Sequence, residues 1–168
     1  MSKFVIIING IGGAGKDTLC DYISAQLEAI NVSSITPIKE IAKAHGWNGE
    51  KDEKSRKFLA DLKKVFIDFN NLPTEYLMEQ YTAFIDGSAE ILFAHIREAD
   101  EIDKFRKRIK TSCVTMLIRR GENKSWGNCS DDDVEKYAYD YYFDNEKSLE
   151  EAQKAFHSFI LRIINEYK

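Results

Sequence analysis

A stretch near the start of the chain, residues 10–18, combines the residue types and the spacing of a phosphate-binding loop. Its sequence is GIGGAGKDT, in which two glycines bracket four residues and Lys16 follows the second glycine. Glycines allow backbone N–H groups to point inward and approach an anion closely. The lysine adds a mobile positive charge for the β- and γ-phosphates of a nucleotide. The stretch therefore predicts that the chain binds a nucleoside triphosphate.

The segments on either side have the patterns of the strand and helix that such a loop requires. Phe4–Asn9 (FVIIIN) is almost entirely apolar, which indicates a buried central strand. From Lys16 to about Ile30, apolar residues recur at helical spacing, and the start of that helix would direct its positive dipole end at an anion. The predicted nucleotide-binding residues are Gly10, Gly12, Gly13, Ala14, Gly15, Lys16, Asp17 and Thr18.

The position after Lys16 departs from the general loop pattern. A serine or threonine usually stands there to bind Mg²⁺, whereas this chain has Asp17 followed by Thr18. Both side chains carry the hard oxygen atoms that Mg²⁺ prefers, and either could bind the ion directly or through water. Asp17 and Thr18 are therefore the predicted metal ligands.

Composition limits the class of protein. The 168 residues suit one domain, and 43% hydrophobic residues are typical of a globular chain. The net charge of −4 gives no overall positive field for nucleic acid, and no apolar run is long enough for a bilayer. Three cysteines without metal-binding spacing indicate reduced thiols. We therefore expect a single cytoplasmic domain over residues 1–168, a monomer or homodimer, without nucleic-acid or membrane partners.

Strand-like and helix-like segments alternate along the chain. This alternation predicts an α/β fold with a five-stranded parallel sheet and helices on both faces. The predicted strands are 4–9, 32–35, 91–96, 113–118 and 140–143, and the predicted helices include 54–69, 74–85 and one that Ser148 and Glu151 cap. In such a sheet, ligands bind beyond the carboxyl ends of the strands.

Three arginines follow predicted strands at that edge. Arg97 comes directly after the third strand, and Arg119 and Arg120 come after the fourth. Phosphoryl transfer needs positive charge around the moving group, so these arginines and Lys16 are the predicted catalytic residues. Arg119 and Arg120 begin a polar loop over residues 119–131. This loop could be a lid over the triphosphate or a plain solvated loop.

Two further basic residues are candidates for binding a second substrate. Lys39 lies in the first turn of the helix that begins at Thr36-Pro37. Arg56 lies in the segment KDEKSRKF, where a charged helix face is the commoner explanation. For Lys39 and Arg56 alike, the sequence spacing alone allows either a substrate-binding role or a purely structural one.

Four stretches of the chain resemble the deoxynucleoside monophosphate kinases of phages and bacteria, within the P-loop nucleoside monophosphate kinase-like group. The first is GIGGAGKDTL, in which an aspartate follows the lysine, as it also does in phosphomevalonate kinases. The second, PIKEIAKAHGWNGEKDEKSRKFL, is similar to the family pattern PLKE…GW-G-KDE-x-x-R. The others are IREADEIDKF and DYYFDNEKSLEE.

This resemblance implies a three-layer P-loop NTPase fold with strand order 2-3-1-4-5. It also implies an ATP and Mg²⁺ site at the loop, and a nucleoside monophosphate as a small-molecule acceptor. Lys39, Arg56 and Arg97 would bind that acceptor, the first two from a helical insert at about residues 37–86. The implied reaction transfers the γ-phosphoryl group of ATP to a (deoxy)nucleoside monophosphate.

Two departures from the family pattern keep alternatives open. His95 stands where the family has an aspartate, and the turn Asn145-Glu146-Lys147 lacks the usual glycine. The alternatives are a kinase of another phosphorylated metabolite, such as a phosphomevalonate-like compound, and a nucleotide-binding regulatory protein that has lost catalysis.

Overall fold

The apolar segments of the chain form one parallel sheet in the computed structural model, which describes residues 3–121 and 133–167. The strands are β1 Phe4–Asn9, β2 Ala29–Ser33, β3 Ile91–His95, β4 Ser112–Arg119 and β5 Tyr141–Asp144. They lie in the order β2-β3-β1-β4-β5, and each neighbouring pair is parallel. The predicted α/β fold and its strand order are therefore confirmed.

Helices cover both faces of the sheet. They are α1 Lys16–Ser24, α2 Thr36–Ala44, α3 Glu53–Asn70, α4 Leu72–Asp86, α5 Ala99–Arg108 and α6 Leu149–Glu166, with a 3₁₀ turn at Val134–Lys136. Side chains from alternate positions of β1 enter two separate cores. Phe4, Ile6 and Ile8 pack with residues of α1 and α6, whereas Val5 and Ile7 pack with residues of α4 and α5. This burial on both faces explains the continuous apolar run in the sequence.

Polar side chains fix the start of two helices. The Asp52 carboxylate accepts a hydrogen bond from the Ser55 N–H at the start of α3. At the start of α6, Ser148 Oγ accepts from the Glu151 N–H and donates to the Glu151 carboxylate at 2.7 Å. The second pair is the predicted capping box.

The first helix and the second strand differ from the sequence prediction. Helix α1 ends at Ser24 instead of about residue 30, and β2 begins at Ala29 instead of Val32. The reason is pairing with a distant segment, because Ala29 lies in register with Ile91 of β3. That pairing takes residues 29–33 out of the helical pattern.

Two helix starts also differ. The Thr36-Pro37 pair predicts Thr36 as the N-cap and Pro37 in the first turn, but Thr36 is already the first residue of α2, and Ile35 occupies the cap position. Helix α4 begins at Leu72 instead of near Thr74, because Asn71 takes a left-handed backbone with φ of 54° and Pro73 fits the first turn. Among the residues that the structure describes, no helix is both long and apolar enough to cross a bilayer.

Candidate nucleotide site

The loop after β1 has the backbone that its glycines predict. Gly10, Gly13 and Gly15 have φ values of 149°, 87° and 86°. A Cβ atom at Gly10 would also lie 2.4 Å from the Ile118 carbonyl oxygen, so only glycine fits there. Helix α1 starts directly after Gly15 with no side-chain cap. Its first-turn N–H groups are therefore suited to an anion.

Lys16 lies across this loop. Its half-buried side chain places Nζ 2.7 Å from the Gly10 carbonyl oxygen and 3.1 Å from that of Ile11, and donates to both. These contacts hold the ammonium group at the loop itself, where an anion bound to the loop N–H groups would meet it.

Asn9, which was not predicted as a site residue, joins the loop to the sheet edge. Its Oδ1 accepts from the Gly10 N–H at 2.8 Å, and its Nδ2 donates to the Arg97 carbonyl and to Tyr139 Oη, each at 2.8 Å. Tyr139 Oη in turn donates to the Val134 carbonyl at 2.8 Å. The sequence signal for this role was a polar residue at the end of an otherwise apolar, buried strand.

Asn145 supports the other end of the loop. Its side chain is buried, and Nδ2 donates to the Ala14 carbonyl at 2.9 Å. Its backbone N–H donates to the Arg119 carbonyl at 2.8 Å. A Cβ atom at Gly15 would lie 2.5 Å from Asn145 Nδ2, which shows how closely the two segments pack. The turn after β5 therefore supports the loop without the glycine that the resembled family has there.

The predicted metal ligands, Asp17 and Thr18, lie exposed in the first turn of α1. In the described part of the chain, no group of three or more His, Cys, Asp or Glu residues could hold a metal ion. Mg²⁺ is commonly held by one or two protein oxygens together with waters and substrate phosphates. Two exposed oxygen-bearing side chains beside a phosphate-binding loop fit that kind of site.

His95 lies beside Asp17, with 3.7 Å between His95 Nδ1 and Asp17 Oδ1. Burial lowers the pKa of His95 to about 4, and the charge of Lys16 lowers it further, although Asp17 opposes both. The imidazole is therefore neutral near pH 7. It cannot supply the negative charge of the aspartate that the resembled family has there.

Arg56 extends from the first turns of α3 to the loop. Its Nε donates to the Lys51 carbonyl at 3.0 Å. Its Nη1 lies 2.7 Å from the position that a Cβ atom would take at Gly12. The structure therefore brings Arg56 against the loop, although its sequence context suggested a charged helix face.

Lys39 and Arg97 belong to the same electrostatic environment. Partial desolvation lowers the pKa of Lys39, and the positive charges of Arg97, Lys51 and Lys43 lower it further, while Asp17 raises it. Arg97 is half-buried and follows β3. Lys39 of α2 thus interacts electrostatically with Asp17, at the start of α1, and with Arg97, which follows β3.

The structure places Arg119 and Arg120 differently. The Arg119 guanidinium binds both carboxylate oxygens of Glu135, with the shortest contact 2.8 Å, and lies 4.4 Å from the centre of the Tyr142 ring. Arg120 is exposed. Residues 122–131 of the predicted lid lie outside the described residues.

A buried ionic cluster, which was not predicted from the sequence, includes Glu98, the residue after Arg97. The Lys63 ammonium contacts the Glu98 carboxylate, Glu101 Oε2 at 2.7 Å and Ser34 Oγ at 3.0 Å. Burial raises the pKa of Glu101 to about 7; Lys63 opposes this shift, and the neighbouring Glu98 carboxylate adds to it. This ionic cluster connects α3, which carries Arg56, to the turn that carries Arg97.

The structure is similar to several solved structures at low sequence identity. With a candidate kinase from Chloroflexus aurantiacus, the TM-score is 0.57 and the identity 14%, over 98% of this chain and 97% of that chain. With TT1252 from Thermus thermophilus, the TM-score is 0.53 and the identity 15%, over 96% of this chain and 98% of that chain. With shikimate kinase from Bacteroides thetaiotaomicron, the TM-score is 0.52 and the identity 14%, over 96% of this chain and 98% of that chain.

These similarities define the fold as the α/β fold of the P-loop kinases. No protein-family model matches the chain, and no curated protein matches it. The narrower resemblance to deoxynucleoside monophosphate kinases stays a prediction from the sequence.

Proposed function

We propose that this protein is an ATP-dependent phosphotransferase that transfers the γ-phosphoryl group to a (deoxy)nucleoside monophosphate. The observation that carries the proposal is the contact between Arg56 and Gly12. It joins a basic side chain from outside the loop to the loop that would hold the donor phosphates. A cation from a separate helix beside that loop is suited to the phosphate of a second substrate.

Each end of the proposed reaction has its own residues. The loop N–H groups and Lys16 would hold the donor phosphates, and Asp17 and Thr18 would hold Mg²⁺, which supplies positive charge to the phosphate oxygens when bound. Lys39, Arg56 and Arg97 would hold the phosphate of the acceptor. A phosphate acceptor is already ionised near pH 7, so the site needs no strong general base.

Arg119 and Arg120 have the same role in this proposal but start from different positions. Both would neutralise charge as the phosphoryl group moves, as cations do in other phosphotransferases. Arg119 is bound to Glu135 in this structure, so it would have to leave that carboxylate to reach the phosphates. Arg120 is exposed.

The acceptor class is tested by coupled detection of ADP. The full-length protein, ATP and Mg²⁺ are incubated in turn with the four deoxynucleoside monophosphates, the ribonucleoside monophosphates, phosphomevalonate and shikimate. We expect turnover with at least one nucleoside monophosphate. Turnover with phosphomevalonate alone would reject a nucleoside monophosphate and keep the phosphotransferase. Hydrolysis or binding of ATP without transfer to any acceptor would reject both.

One observation favours a regulatory protein as the second candidate. The neutral His95 faces Asp17 where a second carboxylate would stand in the resembled family. In that case the chain binds ATP tightly and no acceptor is phosphorylated. His95→Asp would then create turnover in a protein that has none, whereas in an active kinase it changes an existing rate.

A further inference from the structure

His95, at the end of β3, has a ring nitrogen for which the fold provides no partner. Only 11% of the His95 side chain is exposed. Its Nδ1 atom is shielded from solvent and has no hydrogen-bond partner within the described part of the chain. A buried polar atom without a partner costs free energy, and in native structures such an atom has a specific use, as in catalysis or in binding a water or an ion.

The hydrogen bonds of Asn31 determine which ring nitrogen of His95 carries the proton. Asn31 Nδ2 donates to the Asp21 carboxylate at 3.1 Å and to Ser24 Oγ at 2.9 Å. Because a carboxylate only accepts, these bonds leave Asn31 Oδ1 to face the ring, 3.4 Å from His95 Nε2. An amide oxygen also only accepts, so Nε2 carries the ring proton. In the neutral imidazole, Nδ1 therefore presents an unprotonated lone pair.

This lone pair faces the carboxylate of Asp17. His95 Nδ1 and Asp17 Oδ1 are 3.7 Å apart, beyond hydrogen-bond distance. Both atoms are electron-rich, so they repel each other unless a positive group lies between them. Two ligands of one metal ion, each bonded at about 2.1 Å, lie about 3.0–4.2 Å apart. The separation therefore suits one divalent cation that binds both atoms, and the Asp17 side chain, which is 88% exposed, has room to adjust.

The sheet directs His95 towards the phosphate-binding loop. Ile91 and Phe93, at alternate positions of β3, pack in the core that includes α1, so His95 lies on the same face of the sheet. His95 is also in register with Ile8 of β1, two residues before Gly10. The imidazole therefore lies beside the first turn of α1, where the phosphate oxygens of a bound nucleotide would supply the remaining ligands of a cation.

A nitrogen ligand changes which metal ion the site prefers. Mg²⁺ takes oxygen ligands, whereas first-row transition-metal ions also accept imidazole nitrogen, with affinities that rise from Mn²⁺ to Co²⁺. We propose that His95 Nδ1 and Asp17 together bind the divalent ion of the bound nucleotide, and that the site favours a transition-metal ion over Mg²⁺. Mg²⁺ still binds through oxygen atoms, but less tightly. The proposal rests on nucleotide binding by the loop, which belongs to the proposed function, and does not depend on the acceptor.

Isothermal titration of the full-length protein with the non-hydrolysable nucleotide AMP-PCP tests the metal preference. With each ion at saturating concentration, we expect the affinity to fall in the order Co²⁺, Mn²⁺, Mg²⁺. His95→Asn should lose at least about tenfold in affinity for the Co²⁺ complex, because removal of even the outer partner of a metal ligand costs that much, and little for the Mg²⁺ complex. His95→Asp supplies an oxygen ligand and should shift the preference towards Mg²⁺.

His45→Asn is the matched control, because His45 is an exposed histidine at the end of α2. It is expected to bind all three complexes as the wild type does. Circular dichroism shows that the variants are folded.

Pulsed electron paramagnetic resonance of the protein with Mn²⁺ and AMP-PCP tests the ligand itself. We expect a nitrogen coupling to Mn²⁺ that changes when the histidines of the protein are labelled with ¹⁵N, which separates it from the nitrogen atoms of adenine. The coupling should persist in His45→Asn and disappear in His95→Asn.

The outcomes separate this proposal from the proposed function. A wild type without histidine coupling, or an equal loss of affinity for all three complexes in His95→Asn, overturns the proposal even if an acceptor is phosphorylated. Histidine coupling without transfer to any acceptor supports the metal site and rejects the kinase. A folded protein that binds AMP-PCP with none of the three ions rejects both.

Discussion

The Lys63 ammonium lies 2.7 Å from Glu101 Oε2, and both side chains are buried. Lysine and glutamate are rarely buried unless they are paired, and here one ammonium serves two carboxylates, those of Glu98 and Glu101. Because the partners lie on α3 and α5, the pair fixes the helix that carries Arg56 against the turn that carries Arg97. One ionic cluster therefore joins the helix and the turn that carry the two predicted acceptor contacts.

Removal of Lys63 should strongly destabilise the fold. Lys63→Met keeps most of the apolar side chain but leaves the buried carboxylates without their cation, which costs about 3–5 kcal/mol in known cases. Lys57→Met is the matched control, because Lys57 pairs with Asp61 at the surface of the same helix. That pair contributes less than about 1 kcal/mol. Urea unfolding measures both, and equal losses in the two variants would show that the buried cluster has no special role.

Glu101 should make stability fall as pH rises. A glutamate in the unfolded chain has a pKa of about 4.3, whereas burial raises the pKa of Glu101 to about 7. Between these values the folded state keeps a proton that the unfolded state has released, so this group loses its stabilising contribution towards pH 7. Unfolding free energies of the wild type and Glu101→Gln at several pH values check this. The wild type should lose stability relative to the variant across this window, and parallel curves would contradict the shift.

His95 should have the opposite effect. An unfolded histidine has a pKa of about 6.5, but burial lowers the pKa of His95 to about 4. Between these values the unfolded state binds the extra proton, so the contribution of His95 is complete above pH 6.5 and is lost as pH falls towards 4. His95→Asn should therefore lose less stability on acidification than the wild type. An NMR titration of the imidazole that gave a pKa near 6.5 would reject the explanation.

The central parts of the fold could be predicted because their signals are local. The apolar run of β1, the glycines and Lys16 specify a strand, a loop and a helix start within a few residues of each other. The end of α1 could not be predicted in the same way. Leu27 and Ile30 continue the helical spacing, and only the pairing of Ala29 with Ile91 moves this segment into a strand.

The supporting residues of the site were missed for a related reason. Asn9 and Tyr139 are 130 residues apart in sequence, and Asn145 and Ala14 are 131 apart, so no local pattern connects them. The periodicity of α3 gave the right helix but no sign that Lys63 points inward. Its partners come from two distant segments, at Ser34 and at Glu98 and Glu101, and lysine is more typical of a solvated position.

The contact between Gly12 and Arg56 can be tested with a single methyl group. Gly12 is not among the glycines with positive φ, so Gly12→Ala leaves the backbone unstrained and displaces the Arg56 guanidinium. We expect the acceptor KM to rise about tenfold, as for Arg56→Met, while the ATP KM changes little. The double variant should be no worse than Arg56→Met, because both changes remove one interaction. Additive losses would show that the two residues act separately.

Lys16 is the residue whose loss should affect turnover most. Its ammonium lies 2.7 Å from the Gly10 carbonyl, and in the proposed reaction it contacts the donor phosphates. Lys16→Ala should lower turnover at least about a hundredfold, the effect of losing one preorganised contact of about 3 kcal/mol. Lys154→Ala is the control, since Lys154 pairs with Glu150 on the surface of α6. Coupled ADP detection measures the rates, and urea unfolding separates lost catalysis from lost folding. A normal rate for a folded Lys16→Ala protein would reject the role of Lys16 in phosphoryl transfer.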